Sequence, residues 1–473
     1  MMSRDDRRIG CRPHVRPAAQ SVELSALARV VAAKDRPAIL GGNDSVRGVS
    51  IFAAEPVETF EFCLHETDPF EKLDAFLRKY PLKEPCRSAG GFCGGWIGYF
   101  GYELGRFIEA LPQRAMDDMG LPVIRLGFYD KAILYDHLQQ VFSLVAVELE
   151  GEESVDDKFA ALAAWLDAAK EQSAPPPPSA GMGSFDVSAV TSTMTQTDYF
   201  SALKQIHRHI LDGDVYQINI SQRFSTPFAG TPIDLFDWQN HHNPSPYAAF
   251  LAWDDTALVS ASPELFLEVR GDAVCTRPIK GTRPRTPLLP DESPANRTQF
   301  AALVESDKEQ AELAMIVDLE RNDLSRVCVP GTRHVPCARR IEAFATVYHA
   351  VATVAGTLAL PPRPERIEAL LRATFPGGSI TGAPKIRAME IIDALEPTCR
   401  GVYTGSIGWI GLNFDLCLNI AIRTIVIHNK TAYIQTGGGI VADSNPQAEW
   451  DETLTKAHAL MAGIRETNRS IHI

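Results

Sequence analysis

Two pairs of glutamates pose the first chemical question. Glu309 and Glu312 lie three residues apart, and so do Glu449 and Glu452, each pair inside a segment with helical patterning. On a helix, that spacing puts both carboxylates of a pair on one face. Two such helices facing each other would gather four carboxylates, which is unstable unless a proton or a cation sits among them. All-oxygen donors suit Mg2+, a hard ion that keeps waters and is completed by an anionic substrate. Read singly, each pair has the simpler meaning of a solvated helix face.

A cationic group and two glycine-rich groups come next. Lys280 stands in Arg277-Pro278-Ile279-Lys280-Gly281-Thr282-Arg283, at the end of a strand pattern. A desolvated lysine loses proton affinity and becomes a usable nucleophile or base; a solvated one is an ordinary turn residue. Phe375-Pro376-Gly377-Gly378-Ser379-Ile380-Thr381-Gly382-Ala383-Pro384-Lys385 runs directly into a helical segment, and helix starts favour anions. Gly437-Gly438-Gly439 follows a strand pattern and lets main-chain donors approach a bound carboxylate. The glycines of 90–102 lack the strand-to-helix context of a dinucleotide fingerprint. Alternating with aromatics, they predict strands packed closely against another backbone.

Positioning these groups requires a mixed scaffold. Strands are expected over 123–126, 141–147, 215–220, 265–269, 274–278, 416–427 and 432–436, and helices over 155–166, 308–319, 385–394 and 448–460. A further helix is expected to begin at Thr197-Asp198 and to stop at Gly213. The strands do not alternate regularly with helices, so the fold class expected is α+β rather than a doubly wound sheet. Residues 1–35 read as a disordered tail, 36–175 as an N-terminal region, 176–190 as a proline-rich linker, and 191–465 as the catalytic region.

Composition narrows the class. The 473 residues carry a formal charge of −13, which argues against a nucleic-acid partner. No apolar run of 18 residues occurs, so no membrane-spanning helix is expected. Nine cysteines, odd in number and without a C-x-x-C pair, imply reduced thiols in a cytoplasmic protein. Arg4, Arg7, Arg8, Arg12 and Arg16 are interrupted by Asp5 and Asp6, unlike the acid-poor pattern of a transit peptide.

Taken together, the motifs resemble the chorismate-utilising enzymes, the group that includes component I of anthranilate synthase and of aminodeoxychorismate synthase. The resemblance rests on Gly213-Asp214-Val215-Tyr216-Gln217-Ile218-Asn219, Ser262-Pro263-Glu264, Pro278 to Thr282, and the helix from Lys308 into Asp318-Leu319-Glu320-Arg321-Asn322-Asp323-Leu324. It extends through the Ser379 to Lys385 loop, Tyr403-Thr404-Gly405, Ala421-Ile422-Arg423-Thr424, and Gly437 to Lys456. Lysine at position 280 is similar to the aminodeoxychorismate-forming branch, where the anthranilate branch usually has alanine.

The resemblance implies a fold of mostly antiparallel sheets in a sandwich-like core with flanking helices. It implies Mg2+ held by Glu312 and Glu452 with Glu309 and Glu449 in support, Glu264 as general acid, Lys280 as nucleophile, and His349 near the leaving oxygen. Tyr403, Arg423, Gly438 and Gly439 would bind the enolpyruvyl carboxylate, with Ser379 and Thr282 also contacting the substrate. The implied partners are chorismate, ammonia, and a glutamine amidotransferase subunit that supplies it.

Overall fold

The computed structural model describes residues 8–41, 48–85, 88–151, 153–172, 190–287 and 289–469. Among these residues the strands form two sheets, one of twelve and one of ten strands. The main path of the larger sheet runs Cys11–Ala18, Val141–Leu149, Lys131–Asp136, Val49–Ala53, Ala38–Leu40, Tyr247–Trp253, Thr256–Ser262, Thr424–His428, Thr431–Ile440, Gln217–Pro227 and Gly382–Ala383. That of the smaller sheet runs Ile279–Pro284, Val347–Thr357, Ala273–Arg277, Leu265–Arg270, Leu416–Asn419, Ser406–Gly411, Gly95–Phe100, Ile124–Tyr129 and Glu58–Phe62. The strand pairs are antiparallel throughout, for example Gln217–Pro227 with Thr431–Ile440 and Gly95–Phe100 with Ser406–Gly411. The α+β expectation holds.

Side-chain alternation explains the layering. In Tyr247–Trp253, Ala249, Leu251 and Trp253 face a core shared with the other sheet, while Ala248 and Phe250 face helices on the outside. In Gly95–Phe100, Ile97 and Tyr99 join the shared core, and Trp96 and Phe100 turn to the opposite layer. This two-residue period gives a sandwich with a helix layer on each outer face. The glycine-rich stretch packs as its composition predicts. Gly98 pairs with Gly408, and a Cβ on Gly98 would lie 1.9 Å from the Arg125 carbonyl oxygen.

Several boundaries differ from expectation. Residues 8–35 are not a tail: Cys11–Ala18 pairs along its full length with Val141–Leu149, and Leu24–Ala32 is a helix burying Leu27, Val30 and Val31. Arg12 and Arg16 occupy the outward face of that strand, where Arg16 meets Asp156 at 2.9 Å; residues 1–7 of the expected tail lie outside the described residues. Both sheets draw strands from both 36–175 and 191–465. The expected linker lies, apart from residue 190, outside the described residues. The helix Gln196–Leu211 is capped by Thr195 rather than Thr197, since Thr195 and Asp198 satisfy each other's backbone N–H groups in a capping box. The single strand expected over 416–427 is two, Leu416–Asn419 and Thr424–His428, interrupted where Arg423 takes a φ of 50°. No helix among the described residues is long and apolar enough to cross a membrane.

A buried ion pair ties the halves together. Glu396 accepts from the Ser221 amide at 2.8 Å and hydroxyl at 2.7 Å, and from Arg400 at 2.7 and 2.8 Å. Arg400 also donates to the carbonyls of Asn219 (2.7 Å) and Ile380 (3.0 Å). Its own amide is held by Glu103 at 2.8 Å, a residue of the N-terminal region. Breaking such a pair strands a buried charge at a cost of about 3–5 kcal/mol. Arg400→Ala should therefore lower the urea midpoint of unfolding sharply, while Arg16→Ala, on the surface, should barely move it.

Candidate functional site

Two passages where the chain crosses between sheets form the floor of the site. Glu264 lies between Thr256–Ser262 of the larger sheet and Leu265–Arg270 of the smaller. Arg423 lies between Leu416–Asn419 of the smaller sheet and Thr424–His428 of the larger. The crossings are stitched together: the Ile420 amide donates to the Glu264 carbonyl and the Ala261 amide to the Arg423 carbonyl, each at 3.0 Å. Two candidate site side chains thus leave the backbone where neither sheet constrains its direction.

Lys280 comes from a third irregularity. Ile279 pairs with Val351 and Thr282 with His349, so three steps on the lysine strand match two on its partner. This is a bulge, which redirects a side chain. Gly281 takes a φ of 86° there, and a Cβ at that position would stand 2.8 Å from Glu309 Oε2. The Lys280 ammonium donates to the Ser379 carbonyl at 2.9 Å. Burial pushes its pKa down, helped by Lys456 and opposed by Glu264, Glu312 and Glu320.

Glu264 is buried, and its Oε1 accepts from the Ile279 amide at 3.4 Å. Burial raises its pKa, against the pull of the Ser379 hydroxyl, Lys280, the Ile279 amide and Arg423. His349, also buried, meets Thr282 Oγ1 through Nδ1 at 2.9 Å and Arg423 through Nε2 at 3.5 Å. A guanidinium only donates, so Nε2 accepts and the ring proton sits on Nδ1. Burial and Arg423 push this histidine down to about 3, leaving it neutral.

Tyr403 is reached through the same crossing: the Thr404 amide donates to the Ala421 carbonyl and the Ala421 amide to the Gly405 carbonyl, each at 2.9 Å. Its ring lies 5.8 Å from the Arg400 guanidinium, and burial keeps its phenol protonated. Among the described residues no hydrogen bond joins Tyr403 to Arg423. Gly438 and Gly439 lie in Thr431–Ile440, opposite Ile220 and Asn219. In place of their missing side chains stand Glu449 Oε2, 2.9 Å from a Cβ on Gly438, and Gln217 Nε2, 2.5 Å from one on Gly439.

The four acids occupy two helices, Asp307–Ser325 and Pro446–Arg469. Glu309 Oε1 meets Arg283 at 2.6 Å, while its Oε2 is buried without a hydrogen-bond partner. Glu449 accepts from the Ser444 hydroxyl at 2.7 Å, and Glu452 pairs with Lys456 at 2.6 Å. Burial raises Glu312, opposed by Lys280 and Lys308 and reinforced by Glu309 and Glu449. Burial likewise raises Glu449, against Ser444 and with Glu452. For Glu452, Lys456, Lys308 and Lys280 outweigh burial and hold the carboxyl below its usual value. The two helices therefore feel each other's charge. As the side chains stand, among the described residues no group of three acidic, histidine or cysteine ligands surrounds one point. The orphaned Glu309 oxygen, the all-oxygen donors and the mutual repulsion fit a hard divalent cation.

Sequence reasoning missed Glu320 and Lys456 as parts of the site. Glu320 lies eight residues after Glu312 on the same helix face, is buried, and accepts from Thr276 Oγ1 at 3.0 Å. Burial, with Glu264 and Asp323 nearby, raises it well above the usual carboxylate range. Lys456, four residues after Glu452, also donates to the Gly437 carbonyl at 2.8 Å. Helical periodicity could have found both.

Residues 42–462 match the family described as chorismate binding enzyme. The chain belongs to that family. Its relatives include aminodeoxychorismate synthase component 1 of Salmonella typhimurium, 39% identical over 87% of this chain and 88% of that protein. Anthranilate synthase component 1 of Streptomyces coelicolor is also 39% identical, over 79% of this chain and 73% of its own. Among solved structures, anthranilate synthase component I from Streptococcus pneumoniae superposes with a TM-score of 0.74 at 31% identity, covering 88% of this chain and 92% of that one.

A carboxyl whose folded pKa is raised binds more protons folded than unfolded, so stability falls as pH climbs from the unfolded value toward the folded one. For this member of the chorismate-binding family, Glu320→Gln keeps an acceptor for Thr276 and removes that penalty. The variant should have a higher urea midpoint than wild type at pH 8, with the difference vanishing near pH 4. A less stable variant at pH 8 would contradict the burial argument.

Proposed function

We propose that this chain is the chorismate-aminating component of an aminodeoxychorismate synthase, making 4-amino-4-deoxychorismate for p-aminobenzoate and folate synthesis. One observation carries the reading: a lysine amine, depressed by burial, stands among Glu264, Glu312 and the Ser379 carbonyl. The similarity to proteins named aminodeoxychorismate synthase component 1 supports it. Their designation as a first component supports a second, which we assign as a glutamine amidotransferase delivering ammonia.

The ring hydroxyl of chorismate is a poor leaving group and needs an acid. Glu264, whose pKa burial raises, delivers a proton to that oxygen as the bond to carbon 4 breaks. The Lys280 amine bonds to carbon 2 as the double bonds shift, and water leaves. Ammonia then bonds to carbon 4, the double bonds return, and the carbon 2 to Lys280 bond breaks. Glu264 takes the proton that ammonia sheds. Two allylic displacements explain amination at carbon 4. Arg423 offers a planar fork to the enolpyruvyl carboxylate, with Tyr403 and the amides of Gly438 and Gly439 beside it. Arg423 fixes the tautomer of His349, which lies near the departing oxygen. Glu312 and Glu452, supported by Glu309 and Glu449, would hold Mg2+, which neutralises the ring carboxylate when bound.

The alternative product is anthranilate, which the similarity to anthranilate synthase components keeps in view. Incubation with chorismate, Mg2+ and ammonium should give 4-amino-4-deoxychorismate; release of anthranilate would refute the assignment. With ammonia withheld, the intact protein should gain the mass of chorismate less one water, located on Lys280 and lost in Lys280→Ala. Glu264→Gln should lower kcat by about 10²–10⁴-fold with little change in chorismate binding. EDTA should abolish turnover, and excess Mg2+ should restore it; full activity in EDTA would count against the four-carboxylate assignment.

A further inference from the structure

A cavity adjoins the proposed reacting groups. It forms where the start of Tyr247–Trp253 meets the hairpin of His334–Ala343 and Val347–Thr357, and holds about 910 Å³ of empty space, part of it open to solvent. Tyr247, Arg277, Ile279, Arg340, Phe344 and Val351 are among its walls. Lys280, Ser379, Arg423 and the four acids of the helices are not. Three wall residues nonetheless adjoin the site: Pro263 precedes Glu264, Ile279 precedes Lys280 and donates its amide to Glu264, and the Phe344 ring lies 5.1 Å from that of His349.

The charges on the walls define a ligand. Arg277 is already neutralised by Glu342 at 2.6 Å and is also bonded to Tyr247. Arg340, exposed at the rim, has no acidic partner among the described residues. One guanidinium remains for one anionic group, and a guanidinium matches a carboxylate. The remaining walls, including Pro246, Pro263 and Phe344, offer flat apolar faces.

We propose that this cavity is a regulatory site for a small aromatic monocarboxylate. Its carboxylate lies on Arg340, and its ring lies between the prolines and Phe344. Occupation displaces Phe344 from His349 and Ile279 from Glu264, so the ligand slows turnover without occupying the chorismate site. The effect on rate rests on the reading of Glu264, Lys280 and His349 as reacting groups; binding itself does not.

The test uses the full chain with 4-aminobenzoate and benzoate as probes. Calorimetric titration should detect one site, Arg340→Ala should weaken it at least tenfold, and Ala343→Trp, which fills the mouth, should abolish binding. At saturation the ligand should lower kcat about fivefold with KM for chorismate unchanged, and both variants should keep the uninhibited kcat. Competition with chorismate, affinity that survives both substitutions, or no heat at millimolar ligand would overturn the proposal. Because the titration needs no turnover, it stands even if the reaction product proves to be anthranilate.

Discussion

Removing water from an amine weakens its hold on a proton, and removing water from a carboxyl strengthens it. The buried surroundings of Lys280 apply both effects to neighbouring groups. Burial lowers Lys280 while it raises Glu264, Glu312 and Glu320. The charges they would otherwise carry oppose this, since each carboxylate would stabilise an ammonium beside it. Desolvation shifts the balance toward a proton on the carboxyl and a lone pair on the amine. The same dryness therefore prepares a nucleophile and an acid together, as the proposed displacement requires.

Such an arrangement is costly, and the interleaved sheets supply the rigidity that maintains it. Glu264 and Arg423 occupy passages from one sheet to the other, locked by reciprocal backbone bonds from Ile420 and Ala261. Lys280 sits in a bulge whose partner strand carries His349. Arg400 and Glu396 clamp the strand Gln217–Pro227 to the loop carrying Tyr403 and, through Glu103, to the N-terminal region. The first half of the chain is thus a structural partner of the second: its strands close both sheets against which the functional segments are set.

How much of this was legible depended on whether the signal was local. The glutamate pairs, the lysine between proline and glycine, and the glycines of strand 431–440 are visible as spacing and residue type, but each alone reads equally as a surface or turn feature, and only their joint occurrence in family order marks them. The expected helices 155–166, 308–319, 385–394 and 448–460 start within two residues of the observed ones, but the last stops well short of the end of Pro446–Arg469. The break at Arg423 was not legible, since Leu416 to Ile427 is uniformly strand-like in type, and only tertiary crossing forces a positive φ there. The N-terminal strand was masked by its arginines, whose outward alternation has meaning only once Val141–Leu149 is beside it. Thr195 lost to Thr197 because both are capping types, and the reciprocal bond with Asp198 decides between them.

The histidine shows how geometry limits the roles that residue type permits. An imidazole near its ordinary pKa serves as acid or base at neutral pH. His349 does not have that freedom. With Nε2 accepting from Arg423 and the ring held down to about 3, protonation would place a cation against the guanidinium in a buried site. In the proposed reaction it cannot deliver the proton to the departing hydroxyl, so that duty falls on Glu264, the neighbouring group whose burial favours the protonated form. The histidine instead fixes the orientation of Arg423 from one nitrogen and that of Thr282 from the other. Substrate grip and leaving-group chemistry are thereby coupled through a neutral ring, and a rate measured against pH in the range 5–8 should carry no limb belonging to it.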